Sequence, residues 1–237
     1  MIASTNPHGT FAQCSNVLAA PEGRPQKVNR PYRQQRHRGF SMVELMFVVV
    51  VSLIVAGMAI PTYRTIQRNL RSGGDARGIN GEIVLAKMRA ASDFTQARVY
   101  ADLSTQMFWI DVWSKPVPPA TTGSWGIEGG TQFLSQGVTW GYGSLSSPPA
   151  GTQTTIGQAP ACRNDTGALP GTGAAIANTA CIVFNSRGIP IDSTGAPTAN
   201  DAIYITDGNS VYAVTVSATG LILTWRTDAI SANWKKR

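Results

Sequence analysis

The sequence predicts an α+β fold in which a long N-terminal helix anchors the chain in a membrane and packs on a C-terminal antiparallel β-sheet domain. Residues 40–60 are almost wholly apolar, helical spacing of apolar residues resumes at residue 79, and the last third alternates short β-type segments with turns. We therefore expect four segments: a basic leader over 1–39, a transmembrane helix over 40–60, a helical continuation over 61–98 and a β-rich domain over 99–237.

The positive charge of the chain is concentrated in the leader. The chain has 20 Lys and Arg residues against 13 Asp and Glu residues, a formal net charge of +7. Six of the basic residues and one acidic residue precede Phe40, which leaves 14 against 12 and a net charge of +2. Both histidines, His8 and His37, also lie in the leader. The remaining chain therefore has no imidazole for acid–base catalysis or metal binding.

The apolar segment 40–60 has the length of a membrane span. A helix of this length, rising ~1.5 Å per residue, just crosses a hydrocarbon core of ~30 Å. The basic flank on its N-terminal side predicts a cytoplasmic leader and an exported C-terminal domain. The run is too long for a secretory signal, and Arg-rich sequence follows it at 63–77. A plain signal-anchor helix would explain these features equally well.

Glu44 argues against a plain signal anchor, because a carboxylate in a membrane helix costs several kcal/mol, ~3 on insertion scales. Phe40 and Glu44 are four residues apart, so a helix places them on one face about 6 Å apart along its axis. If cleavage frees the Phe40 amine, that cation neutralises the carboxylate in the same chain or in a neighbouring one. A pair between chains would set their axial register.

The sequence RGFSMVEL at 38–45 resembles the prepilin cleavage motif of type IV pilins and type II secretion pseudopilins. The resemblance implies that a prepilin peptidase cuts after Gly39 and methylates Phe40, and that Glu44 is the charge partner in filament assembly. Pro61 lies where this family often has a helix-kinking proline, which removes one helical hydrogen bond. The leader of 39 residues is long for the family.

Beyond Pro61 we expect the helix to continue to about Arg71 and to break at Gly73 and Gly74. A second helix should then lay one apolar face on a sheet. The residues at helical spacing are Ile79, Ile83, Ala86, Ala90, Phe94 and Ala97.

The rest of the chain is of β type. We expect a strand over 106–113, short strands near Phe133 and Val138, a strand over 181–184, and a meander over 202–206, 211–216 and 221–226. Asp207, Gly208 and Asn209 suit the first hairpin turn of this meander. The Gly-, Ser-, Thr- and Pro-rich stretch 114–180 is either variable surface or a binding region.

This layout, with CIVFNSRGIPID at 181–192, resembles the GspH and FimT branch of minor pilins and pseudopilins. The resemblance implies a non-catalytic filament subunit of a type II secretion pseudopilus or a type IV pilus. Its partners would be prepilin peptidase, other pilins or pseudopilins, and the inner membrane, which it would cross once with a periplasmic domain. No cofactor is expected.

A DNA-binding minor pilin is the alternative. FimT-like proteins can bind DNA through a Gly-Arg-x-Arg stretch, but residues 220–223 read Gly-Leu-Ile-Leu. The basic tail still places charges near an aromatic ring, a combination that can hold single strands. Its members are Arg226, Trp234, Lys235, Lys236 and Arg237. With a net charge of +2 after leader removal, a solvated tail is favoured and nucleic acid is not an expected partner.

The remaining candidate sites are two cysteines and two pairs of carboxylates. Cys162 and Cys181 are an even pair in an exported domain, so they form a disulfide worth ~3 kcal/mol or stay as two buried thiols. Asp201 and Asp207 flank a strand rather than a calcium loop, so a turn is favoured and no metal is expected. An enzyme would need a pair such as Asp111 and Asp192, which nothing in the sequence brings together.

Overall fold

The computed structural model describes residues 39–199 and 201–237, without the side chain of Pro61. The predicted leader up to Arg38 lies outside the described residues. The described residues 39–48 and the residues from 49 onward belong to two separate compact units. The described chain has one helix, α1 (Met42–Ser92), and ten strands. The strands are β1 (Ala97–Asp102), β2 (Met107–Ser114), β3 (Ser124–Phe133), β4 (Thr139–Trp140), β5 (Thr179–Phe184), β6 (Pro190–Ile191), β7 (Asp201–Thr206), β8 (Ser210–Val216), β9 (Ile222–Asp228) and β10 (Ser231–Lys236).

Helix α1 runs without a break through Gly73 and Gly74, so the predicted break and the separate second helix are wrong. Two interior glycines destabilise a helix by roughly 2 kcal/mol relative to alanine. The helix nevertheless continues where it packs on the domain, since Ser72 is fully buried and donates to Asp207 of the β7–β8 turn at 2.9 Å. A Cβ atom at Gly73 would make ordinary van der Waals contact with the Tyr212 hydroxyl at 3.5 Å. Pro61 lies inside α1, and the predicted bend there stays a prediction.

The helix ends at Ser92, six residues before the predicted end of the helical continuation at 98. The Thr95 N–H donates to the Ala90 carbonyl at 3.2 Å, the closing bond of a Schellman motif. Phe94 has the left-handed conformation that this motif needs, with φ of 49°. Phe94 and Ala97 therefore do not share the helical face with Ile79, and Ala97 begins β1 instead.

The strands form two five-stranded antiparallel sheets rather than one. The first sheet has the order β3-β2-β1-β5-β6, and the second has the order β10-β9-β8-β7-β4. The predicted meander is confirmed as β7, β8 and β9. The sequence did not predict that the tail forms a strand, but β10 pairs with β9 along the edge of the second sheet, and its side chains other than Trp234 are exposed to solvent. Unpaired backbone groups at that edge explain why the tail adds a strand.

The core lies between α1 and both sheets. The apolar face of α1 is buried over four of the six predicted positions, which are Ile79, Ile83, Ala86 and Ala90. These residues form one cluster with Val99, Phe108, Ile110, Ile182 and Phe184 of the first sheet and with Ile203, Ile205, Val214 and Val216 of the second. A smaller cluster around Tyr204 covers the opposite face of the second sheet. Since both faces are covered, every residue of β8 is buried.

Lys87 of α1 joins the turns of the two sheets. Its Nζ atom donates to the Gly220 carbonyl at 2.8 Å, in the turn between β8 and β9. Gly188 lies in the turn after β5, and a Cβ atom there would be 3.1 Å from Lys87 Cγ. A Cβ atom at Gly220 would be only 2.7 Å from the Gly188 carbonyl oxygen. Both glycines have φ near +70°, so the close approach and the backbone conformation both require glycine.

Candidate functional site

The predicted cleavage junction lies just before the start of α1. The Leu45 N–H donates to the Ser41 carbonyl at 3.1 Å, which makes Ser41 the N-cap and leaves Phe40 outside the helix. The expectation that Phe40 is already helical is therefore wrong for the chain with Gly39 attached. Serine is a preferred N-cap residue, which explains why the helix begins at Met42. Glu44 lies in the first turn, where the helix dipole favours a carboxylate.

The segment that follows is exposed on all sides. Every side chain from Met42 to Ile60 is exposed, and Phe40 is 80% exposed. The most apolar 18-residue window of α1 has a mean hydropathy of 2.6, so the helix is long and apolar enough to cross a membrane. An apolar surface on all sides of a helix requires lipid or neighbouring helices around it.

The two cysteines form a disulfide in the structure. The Cα atoms of Cys162 and Cys181 are 4.9 Å apart, and the bond closes a loop between residues 19 positions apart. The Cys162 N–H donates to Thr179 Oγ1 at 2.9 Å, which holds the cysteine against the start of β5. Of the two alternatives that the sequence leaves open, the structure contains the disulfide. Such bonds persist in oxidising compartments.

The two carboxylates that an enzyme would need are not brought together, and each has a structural partner. Asp111 of β2 faces Arg98 of β1 in register, and their side chains form a buried ion pair at 2.9 Å. Asp192 accepts hydrogen bonds from the Thr194 hydroxyl and from the Thr194 and Ala196 N–H groups. The bond from the Thr194 hydroxyl is the main cause of the lowered pKa of Asp192. Neither carboxylate contacts the other among the described residues.

Asp207 holds the predicted hairpin turn. Its carboxylate accepts from the N–H groups of Asn209 and Ser210 at 2.9 and 2.7 Å, and from the Ser72 hydroxyl of α1 at 2.9 Å. Asp201 lies at the other end of β7. Within 39–199 and 201–237, no group of three or more His, Cys, Asp or Glu residues could hold a metal ion.

The basic tail does not present its aromatic ring beside its charges. Trp234 donates through Nε1 to the Ser147 carbonyl at 2.9 Å and packs edge-on against Tyr204, with ring centroids 6.0 Å apart. Arg226 instead faces α1, where its Nη2 atom donates to Asn69 Oδ1 at 3.0 Å. Lys235 and Lys236 are exposed.

Sequence reasoning missed two buried charged residues, Arg98 and Asp201, which are 6% and 7% exposed. Arg98 lies between aromatic rings, with Cζ 4.2 Å from the Trp125 centroid and 5.3 Å from the Tyr100 centroid. The pairing of Arg98 with Asp111 could have been predicted from their opposite charges in neighbouring strands, because such pairs stabilise a sheet when they face each other. No local signal distinguishes Asp201 from a surface residue.

The comparisons with known proteins support the prediction made from the cleavage junction. Residues 34–60 match the family model described as the prokaryotic N-terminal methylation motif. No curated protein is significantly similar to the chain. The structure is similar to the minor pseudopilin EpsH from the Type 2 Secretion System of Vibrio cholerae, with 10% sequence identity and a TM-score of 0.35, covering 65% of this chain and 94% of that one. The match over residues 34–60 therefore agrees with the predicted motif around Gly39 and Phe40, and this segment of the chain is similar to the prokaryotic N-terminal methylation motif.

Proposed function

We propose that the chain is a minor pilin or pseudopilin of the GspH and FimT branch, a non-catalytic subunit of a type II secretion pseudopilus or a type IV pilus. The observation that carries the proposal is the match to the methylation motif at 34–60, which includes the exposed apolar first part of α1, while the later part of the same helix contributes to the core of the domain. This arrangement suits a subunit that packs through its helix and displays its domain.

The motif gives the junction its proposed chemistry. Prepilin peptidase cleaves after Gly39 and methylates the new amine of Phe40. The absence of helical structure at 39–41 in the uncleaved chain supports this assignment, because a peptidase needs an extended segment that its active site can reach. Once the amine is free, Glu44 neutralises it in a neighbouring subunit, which removes two charges from lipid.

The proposed location is the inner membrane, crossed once by α1, with the two-sheet domain in the periplasm. Six basic residues in the leader favour a cytoplasmic N-terminus. The disulfide between Cys162 and Cys181 supports an oxidising compartment for the domain. From the membrane, the subunit is incorporated into the filament.

Cleavage is tested by replacing Gly39 with Val and following the chain in membranes by gel mobility and N-terminal mass spectrometry. We expect the wild-type chain to begin at methylated Phe40 and the variant to retain its leader. Gly57→Val is the matched control. A Cβ atom would meet open space at Gly57, as it would at Gly39, but Gly57 lies within α1 and away from the proposed cleavage junction. Normal processing of the Gly39 variant would refute the leader assignment.

The role of Glu44 is tested by its incorporation into filaments. Glu44→Gln keeps the shape and removes the charge, whereas Glu44→Asp keeps the charge. We expect normal cleavage of both, and about tenfold less Gln variant in sheared filaments or in cross-links to neighbouring subunits, since an unpaired amine in lipid costs several kcal/mol. Equal incorporation of the Gln variant would contradict the charge-partner role.

DNA binding by the tail remains the alternative function and stays a prediction. The engagement of Trp234 with Tyr204 leaves Lys235 and Lys236 without an adjacent free ring for base stacking. A gel shift of single-stranded DNA that weakens with rising salt and is lost on replacing both lysines would support the alternative.

A further inference from the structure

A cavity of about 170 Å³ lies beside the disulfide, between the first sheet and the start of β7. Its wall includes both disulfide cysteines, Arg98, Trp125, Asp192 and Asp201. Asp192 and Asp201 contribute carboxylates to this wall, and Val183 and Ile191 contribute apolar side chains. An engineered cavity of ~150 Å³ holds a benzene-sized molecule, so this one has room for a side-chain terminus.

Asp201 is the feature of this cavity that lacks a structural explanation. It is the first residue of β7 and is 7% exposed, and its carboxylate has no hydrogen bond or ion pair within the described part of the chain, so its oxygens are open only to the cavity. Burial, and then the charge of Asp192, raise its pKa to about 6. At pH 7 most molecules therefore hold an ionised carboxylate in the wall without a counter-ion. Buried charges in proteins are normally paired.

The two nearby arginines do not neutralise Asp201. The Arg98 guanidinium is bonded through Nε to Asp111 and through Nη1 to the Arg163 carbonyl at 3.0 Å, and it stacks on Trp125. Arg163 donates through Nη1 to the Gly173 carbonyl at 2.9 Å. Neither arginine forms an ion pair with Asp201, so no cation of the described chain neutralises this carboxylate.

We propose that this cavity binds the ammonium or guanidinium group of a lysine or arginine side chain from another protein chain, with Asp201 as its counter-ion. The apolar part of the wall suits the alkyl stem of such a side chain. Calcium fits less well, because it takes six to eight oxygen ligands and Asp192 already uses Oδ1 in its own turn. A filament subunit meets other chains, but binding of a cation at this cavity does not depend on the proposed function.

The test uses the full chain, purified in detergent, and n-butylguanidinium is the probe. Binding is followed at constant ionic strength by tryptophan fluorescence or calorimetry. n-Butylurea is the neutral probe of similar shape. We expect saturable binding of butylguanidinium at pH 7.5 and none of butylurea. Asp201→Asn should weaken binding by about tenfold or more, since it removes one partner of a desolvated charge pair. Asp228→Asn, an exposed carboxylate of β9, is the matched control and should change nothing.

Three results would overturn the proposal. They are equal binding of butylurea, unchanged affinity in the Asp201 variant, and Asp201-dependent binding of Ca²⁺ in place of butylguanidinium. A second arm identifies the source of the cation. The peptide acetyl-Gly-Arg-Gly-amide should bind at least as tightly as butylguanidinium. Exclusion of the peptide while the free cation binds would refute a partner chain as the source. Because this assay needs no filament, failure here leaves the cleavage and incorporation tests unaffected.

Discussion

Replacing Asp201 with Asn should stabilise the protein at neutral pH and leave its stability at acid pH almost unchanged. Burial raises the pKa of Asp201 from 3.8 to about 6, with Asp192 as the second cause. The folded state therefore binds more protons than the unfolded state between these values, and stability falls as pH rises through this window. At 1.36 kcal/mol per pH unit, the shift corresponds to about 3 kcal/mol. Asparagine at this position stays neutral, so the variant avoids the loss.

The measurement is the free energy of unfolding from denaturant titrations followed by tryptophan fluorescence, on detergent-solubilised protein between pH 3.5 and pH 8. The difference between Asp201→Asn and wild type should grow by about 3 kcal/mol from pH 3.5 to pH 7.5, mostly between pH 4 and pH 6. Titration of other groups, including Asp192, occurs in both proteins and largely cancels. For Asp228→Asn, the difference in free energy of unfolding from wild type should be small and independent of pH. A pH-independent difference for the Asp201 variant would refute the claim that burial perturbs this carboxylate.

Three further perturbations test the packing of the domain. Gly220→Ala should lower the free energy of unfolding by about 2 kcal/mol or more, because φ is 74° and the new Cβ atom would meet a carbonyl oxygen at 2.7 Å. Gly208 also has a positive φ but lies in open space, so Gly208→Ala should lower the free energy of unfolding by less. Similar losses in both would contradict the close-approach argument. Reducing the disulfide should lower the free energy of unfolding by about 3 kcal/mol, with no effect of reductant on a variant that has serine at both cysteines. Asp111→Asn should lower the free energy of unfolding by about 3–5 kcal/mol, because it leaves the Arg98 charge buried and unpaired. Adding Arg98→Met removes that charge and should recover part of the loss. A double variant less stable than the single variant would contradict this explanation.

Local features of the sequence were sufficient to predict the N-terminal motif that residues 34–60 match. Gly39, Phe40 and Glu44 lie within six residues, and the roles predicted for them depend only on this short motif and on one carboxylate in an apolar run. The meander β7 to β9 was predictable for a similar reason, since its strands follow one another and are joined by short turns. In both cases the relevant partners are close together along the chain.

Sequence reasoning failed where distant residues decide the structure. Gly73 and Gly74 predicted a helix break, but α1 continues through them, and the preceding Ser72 is buried and bonded to Asp207, which is distant in the sequence. The sequence did not predict a strand in the tail, because the free edge of β9 that the tail covers exists only in the assembled sheet. The sequence predicted that Ala97 is helical, because its spacing fits the apolar face of α1. Pairing with Val112 and Phe184 instead places Ala97 in β1.

The sequence by itself determined the apolar segment 40–60, the motif that precedes and enters it, and the position of Glu44, because each depends only on the order of residues over a few helical turns. Only the tertiary structure decided that the strands form two sheets on one unbroken helix, that Arg98 and Asp111 are paired, and that Asp201 is mostly buried with no ion-pair partner among the described residues. These features depend on which surfaces exclude water. A surface is excluded from water only when segments that are distant along the chain pack against each other in the folded domain.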